Sequence, residues 1–233
     1  MSDALTSNAS AGPSRGGALH VFEVLREEII SLRLAPRTVL SRAELQKRFG
    51  LSSTPIRDAL LRLQEERLVA IFPQHATLVS PIDLGRAREA QFLRRSIELE
   101  IVRVLAVSAA PSGLVEKLRS LVRQQTAFAQ LGELEAFNAA DQAFHRALYE
   151  AAEVEGLWSL VRRHSGHIDR LRRLNLPVAG KMQEVIRDHE AIAAAIEAGQ
   201  PDEAQHVLRD HLSRSLDFVE SLRASHPDYF HAE

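Results

Sequence analysis

The chain has no cysteine among its 233 residues, which excludes a disulfide framework, a thiolate metal site and a cysteine nucleophile. Aromatic residues make up only 5%, while Ala, Leu and Arg abound, a balance that favours a mainly helical protein. Neither charge sign dominates: 29 basic against 31 acidic residues give a formal charge of −2. Any nucleic-acid surface must therefore be local rather than a global polycation. No apolar run is long enough to span a membrane, and the first residues lack the apolar core of a signal peptide. A cytoplasmic protein with no membrane partner is the expectation. Apolar residues at 45% suffice for a packed core, in one large domain or two smaller ones.

Residues 1–17 are rich in Ser, Ala and Gly and read as a disordered arm. A helix over about 19–34 carries the stripe Val21, Val24, Leu25, Ile29 and Leu32, and Pro36 stops it. A second helix begins with Ser41 and Glu44 placed as a capping box and Leu40 set to staple onto Leu45. It ends at Phe49-Gly50, with the glycine as left-handed stop. The stretch Leu51–Leu63 follows at once. With Thr54 as N-cap and Pro55 in the first helical position, Ile56, Ala59, Leu60 and Leu63 share one face. Arg57, Asp58, Leu61 and Arg62 point outward. Two short helices joined by a tight glycine-containing turn form a helix-turn-helix.

After Leu68 the period changes to that of strands. Val69–Phe72 and Thr77–Val79 read as a hairpin around Pro73, Gln74, His75 and Ala76. Residues 18–80 thus predict a winged helix-turn-helix. Beyond a linker near 80–83 only amphipathic helices follow, over about 84–109, 112–131, 133–152, 155–175, 178–199 and 201–223. Short loops imply an all-α antiparallel bundle. Residues 224–233 read as a tail.

Two constellations carry chemistry. The Ser, Thr and Arg residues at the start of the 51–63 helix suit phosphates and base edges. In the bundle, Asp141 and His145 lie four apart on the apolar face of Phe137, Phe144 and Leu148. His189 lies on the stripe of Val185, Ile192 and Ile196, and His211 on that of Ala204, Leu208, Ser215 and Phe218. Three imidazoles and a carboxylate turned inward are costly unless satisfied, and a divalent metal satisfies them together. A lone inward histidine is more often an ordinary core residue; the set of four is what points to metal. His20, His75, His206, His226 and His231 show no such setting.

Two matching stretches then give the family resemblance. The run Thr54-Pro55-Ile56-Arg57-Asp58-Ala59-Leu60, with Pro36, Leu40-Ser41, Glu44-Leu45, Arg62-Leu63 and Leu68-Val69, resembles the winged helix of the GntR family of bacterial transcription regulators. The back part resembles the FCD ligand-binding domain of its FadR-like subfamily. The matches there are Arg94 with Ile97-Glu98, Asp141 with His145, Asp188-His189-Glu190-Ala191-Ile192 and Asp210-His211-Leu212. The resemblance implies a homodimeric regulator, more often a repressor, on a two-fold symmetric double-stranded DNA operator. It implies DNA contacts from Thr54 and Arg57, then Arg42, Ser52 and Ser53, with Gln74 and His75 from the wing. It strengthens the reading of Asp141, His145, His189 and His211 as ligands of a divalent ion, Zn, Ni, Mn or Fe.

A small carboxylate effector would bind beside that ion, with Arg94 on its far end and His164 and His167 lining the cavity. A plain Arg94–Glu98 ion pair is the alternative for Arg94, and an Asp58–Arg62 pair the alternative for Arg62. This chain departs from many relatives in carrying Ser53 where they have Arg, and Ala76 where they have Gly; the latter predicts strain at the wing turn. Two rival functions share these residues: a pure metal-ion sensor, and a metal-dependent hydrolase or oxygenase. Four protein ligands argue against the enzyme, since catalytic zinc keeps an open position. No general base stands beside the cluster either, because Glu190 points elsewhere on its helix.

Overall fold

A computed structural model describes residues 13–72, 75–108, 111–214 and 216–231. The chain divides into two compact units, residues 1–80 and 81–233.

In the first unit the order is α1 (Pro13–Ile30), α2 (Arg42–Phe49), α3 (Ser53–Glu65), β1 (Val69–Phe72) and β2 (Ala76–Val79). One core joins Val21, Leu25 and Ile29 of α1 to Ile56, Ala59, Leu60 and Leu63 of α3, closed by Leu40, Leu45, Leu68, Val69 and Val79. The predicted α3 stripe and Val21, Leu25 and Ile29 of the α1 stripe are the faces that meet, while Val24 lies outside this core. The Ser41 side chain accepts from the Glu44 N–H at 3.4 Å. Gly50 ends α2 at φ 64°, its N–H bonded to the Gln46 carbonyl. The strands pair antiparallel, from Val69 opposite Val79 to Phe72 opposite Ala76. A third segment joins them: Leu40 N–H donates to Thr77 O at 2.7 Å, and Val79 N–H to Thr38 O at 2.9 Å.

Four sequence expectations change here. The helix begins at Pro13 and not at 19, so residues 13–17 are not an arm, while residues 1–12 lie outside the described residues. The added turn packs: Ala18 is buried, and a Cβ on Gly17 would stand 3.2 Å from Leu51 Cδ1. Composition cannot reveal such a contact. The same helix ends at Ile30, and Leu32 adopts a left-handed conformation at φ 64° instead of continuing the stripe. α3 starts one residue before Thr54, with Ser52 as N-cap, so Thr54 and Pro55 both sit inside the first turn. Proline is tolerated there because the first-turn N–H groups have no intrahelical partner anyway. Finally, Ala76 lies in β2 opposite Phe72 and is not among the positive-φ residues, so it carries no strain.

The second unit contains α4 (Leu84–Val107), α5 (Leu114–Leu131), α6 (Leu134–Ala151), α7 (Glu155–His164), α8 (Gly166–Asn175), α9 (Lys181–Glu197), α10 (Pro201–Ser213) and α11 (Val219–Ser225). Six predicted helices become eight among the described residues. The 155–175 helix breaks at Ser165-Gly166, a pair that favours kinks. Ser165 Oγ lies 3.0 Å from Arg162 O and 2.8 Å from Asp169 Oδ2. The 201–223 helix breaks after Ser213, where Arg214 turns to ion-pair with Glu184 and Asp188 of α9. The main core draws on α4, α5, α6, α7, α9 and α10.

A second, smaller core corrects the reading of 224–233 as a tail. Phe230 is buried with Ile82, Ala87, Ile168, Leu171, Val219 and Leu222. Ile82 N–H donates to Tyr229 O at 2.7 Å, so the end of the chain closes over the start of α4. Only two large apolar residues in that segment, Tyr229 and Phe230, signal this, too few for a periodic pattern.

Candidate metal centre and nucleic-acid interface

α6 carries Asp141 and His145 one turn apart, α9 carries His189 and α10 carries His211. One N or O atom from each of these four buried residues falls within 4.8 Å of all the others. Among the described residues this is the one histidine–carboxylate group of that kind. Four positions spread over seventy residues converge because the apolar stripes of three helices meet in one core.

Each imidazole has an acceptor oxygen close to Nδ1. His145 Nδ1 lies 2.8 Å from Glu98 Oε2 of α4, at an angle off that of a straight hydrogen bond. His189 Nδ1 is 2.9 Å from Gln125 Oε1 of α5. His211 Nδ1 is 3.1 Å from Asp188 Oδ2. An acceptor beside Nδ1 favours the proton on that nitrogen and a free lone pair on Nε2, the arrangement typical of metal-ligating histidine. Asp141 divides its oxygens: Oδ2 accepts from Arg172 at 2.6 Å, while Oδ1 lies 3.8 Å from His189 Nε2. Asp141 Oδ1, His145 Nε2 and His189 Nε2 are buried without a hydrogen-bond partner. Such orphaned acceptors are expensive, and a divalent cation suits all of them. The His189 ring is further held flat against Phe144, with centroids 3.9 Å apart and planes within 2°.

Electrostatics favours the metal-binding protonation states of His145, His189 and Asp141. Burial, then the nearby Arg94 cation, pushes His145 down to about 4. Burial and the neighbouring imidazoles push His189 well below its ordinary value. Burial alone would raise Asp141, but Arg172 and both histidines outweigh it and hold the carboxyl well below the usual range. Neutral imidazoles and an ionised carboxylate are what a metal ion requires.

A cavity of about 40 Å³ adjoins the cluster, lined among others by Asp141, His211, Asp188, Arg172, Lys181 and Asn175. None of the three residues expected to bind an effector is among those lining this cavity. Arg94 is buried, with its Nε donating to Glu98 Oε1 at 2.7 Å, so its alternative as an ion-pair residue is the one realised. His164 is exposed at the end of α7. His167 is buried against the start of α4, its Nδ1 accepting the Asp83 N–H at 2.9 Å with Arg170 at the same distance. The kink at Ser165 turns this pair away from the cluster. Arg172 and Lys181 are instead the cations at the cavity, and neither showed a sequence signal. Gln125 was equally silent; Asp188 stood inside the matched Asp188-His189 stretch without an assigned role.

In the first unit Arg42, Ser52, Ser53, Thr54 and Arg57 are all exposed, at the starts of α2 and α3. The α3 N-cap makes no side-chain capping bond, so hydroxyls and first-turn amides face outward together. Arg57 has no ion pair among the described residues, and the alternative Asp58–Arg62 pair does not form. His75 is exposed in the wing turn, and Gln74 lies outside the described residues.

A winged helix followed by a helical unit with a buried histidine–aspartate cluster is the architecture of a DNA-binding transcription regulator. Residues 18–79 match the bacterial regulatory proteins of the gntR family, and residues 89–214 match the FCD domain. The chain belongs to the GntR family and carries an FCD domain. It is 34% identical over 210 residues to an HTH-type transcriptional regulator in an unstable DNA locus of Streptomyces ambofaciens, covering 90% of this chain and 88% of that one. It is 26% identical over 229 residues to the transcriptional repressor RspR of Escherichia coli K12, covering 98% and 100%. The solved structure of McbR/YncC from E. coli superposes with a TM-score of 0.75 at 21% identity, covering 88% of this chain and 97% of that one. These families and relatives are transcriptional regulators rather than enzymes. No described helix is long and apolar enough to cross a membrane.

Proposed function

We propose that this regulator is a homodimeric repressor whose affinity for a two-fold symmetric operator is set by a divalent ion and a small carboxylate in the FCD domain. The observation that carries the reading is the convergence of Asp141, His145, His189 and His211, with buried ligand atoms left without partners. Three imidazole nitrogens and one carboxylate oxygen suit Zn²⁺, Ni²⁺, Mn²⁺ or Fe²⁺. When bound, the ion supplies a Lewis-acidic centre for an effector carboxylate. Arg172 and Lys181 at the cavity add positive charge for the same anion.

On the DNA side, Thr54 and Arg57 carry the main contacts, with Arg42, Ser52 and Ser53 on phosphates. One α3 reads few base pairs, so two copies on half-sites are required for specificity. The effector regulates only through unequal affinity for DNA-competent and DNA-free arrangements.

The test is operator binding at fixed salt, after metal analysis of the purified protein. Chelator, then each metal, then acetate, succinate and citrate are added in turn. Affinity that changes with carboxylate only when metal is present supports the reading; affinity indifferent to all of them rejects it. A second reading, with metal alone as the signal, is favoured by the small size of the cavity. It predicts that metal without carboxylate produces the full change.

A further inference from the structure

We infer that Glu98 is a positioning residue that fixes the His145 tautomer and aims its Nε2 at the metal. The inference rests on the metal reading only for the identity of what Nε2 meets.

α4 contributes none of the four candidate ligands, yet it sends a fully buried carboxylate into the cluster. Glu98 is held by hydrogen bonds at Oε1, while Oε2 faces His145 at close range without a hydrogen bond of good angle. Oε1 accepts from Arg94 Nε at 2.7 Å and from the Tyr149 hydroxyl at 3.2 Å, and Oε2 lies 2.8 Å from His145 Nδ1. Arg94 supplies the opposite charge without which a buried carboxylate is costly. Neutral imidazole carries a single N–H. Beside an ionised carboxylate that proton belongs on Nδ1, which leaves Nε2 as an acceptor, and His145 Nε2 is buried with no protein partner. The other two imidazoles are served differently, His189 by the neutral Gln125 amide and His211 by the less buried Asp188. Glu98 is thus the carboxylate that brings a fully buried negative charge to a candidate ligand, opposing in part the lowering of His145 by burial and Arg94.

Two measurements test this. In metal-free wild-type protein with ¹⁵N-labelled histidine, long-range ¹H–¹⁵N correlation reports each tautomer, with His145 assigned through a His145→Gln variant. The expected result is Nδ1–H for His145; an Nε2–H tautomer overturns the inference. Zn²⁺ affinity is then measured by calorimetry for wild type, Glu98→Gln and the charge-balanced pair Arg94→Met/Glu98→Gln. A loss of about 10–100-fold is expected in both variants. Unchanged affinity in a cooperatively folded variant also overturns it. If neither variant folds, the wild-type tautomer decides. If wild type binds no Zn²⁺, Ni²⁺, Mn²⁺ or Fe²⁺, the metal reading fails, and the tautomer still decides the role of Glu98.

Discussion

Arg172 of α8 donates to Asp141 Oδ2 at 2.6 Å, leaving the other oxygen of the same carboxylate turned toward His189. One guanidinium thereby neutralises the only acidic member of the four-residue cluster and presents it through a single oxygen. Arg172 also lines the adjoining cavity, so one side chain touches both Asp141 and that cavity.

Arg172→Ala leaves the Asp141 carboxylate buried without its counter-charge. Breaking such a pair costs about 3 kcal/mol, to be read by urea unfolding of metal-free protein. Added Zn²⁺ supplies the missing positive charge and recovers stability as ligand binding to the folded state. A loss below about 1 kcal/mol, on the scale of an exposed pair, would show that solvent in the cavity already serves Asp141.

Stability of the metal-free protein falls with acid over a defined window. His145 is held at about 4 when folded against an ordinary 6.5, and His189 is lowered as well. Their unfolded forms take up protons that the folded forms refuse. Stability is therefore complete above about pH 6.5 and declines as pH drops toward 4. His145 alone accounts for roughly 3 kcal/mol of that decline at 1.36 kcal/mol per unit. Glu98, ordinarily 4.5 but held well below that when folded, adds its loss only near the acidic end. Replacing His145 by Gln should flatten the upper part of a plot of unfolding free energy against pH; an unchanged slope would place protonation elsewhere.

Arg57→Ala should abolish specific operator binding and leave the fold intact. The side chain is exposed on α3 and makes no ion pair among the described residues, so unfolding free energy moves by no more than about 0.5 kcal/mol. With DNA selected from random sequence by the wild type, the salt dependence of any residual binding should lose about one unit of slope if Arg57 holds a phosphate. Wild-type affinity in this variant would remove α3 as the reading helix.

Phe230→Ala tests whether the end of the chain is structural. Phe230 is buried in the small core with Ile82 and Leu171, so truncation costs about 3–5 kcal/mol by transfer and cavity terms. Thermal or urea unfolding of the full chain reads this directly. A cost under about 1 kcal/mol, far below that cavity range, would return residues 224–233 to the status of a tail.

Much of this protein is carried by local pattern. Capping at Ser41, the left-handed stop at Gly50 and the Ile56, Ala59, Leu60, Leu63 stripe each depend on neighbours within a few residues, so they specify their helices in isolation. The inward positions of Asp141, His145, His189 and His211 follow in the same way, because helical periodicity assigns a face. Contacts between distant residues leave no such mark. Gly17 against Leu51, Phe230 over Ile82 and Gln125 behind His189 join positions far apart in the chain, with no periodic signal at either partner. Arg94 shows the difference most plainly. Its position one turn before Glu98 allows either an ion pair or an effector contact, and only packing chooses. With both residues buried together, solvation of neither charge is available, so the pair closes on itself and the cavity is left to Arg172 and Lys181. The sequence by itself determined the helical class, most of the helix faces and the family to which the chain belongs, but not where the 155–175 and 201–223 helices break. The tertiary structure decided which buried charges neutralise one another, because that depends on which groups are denied water at the same place.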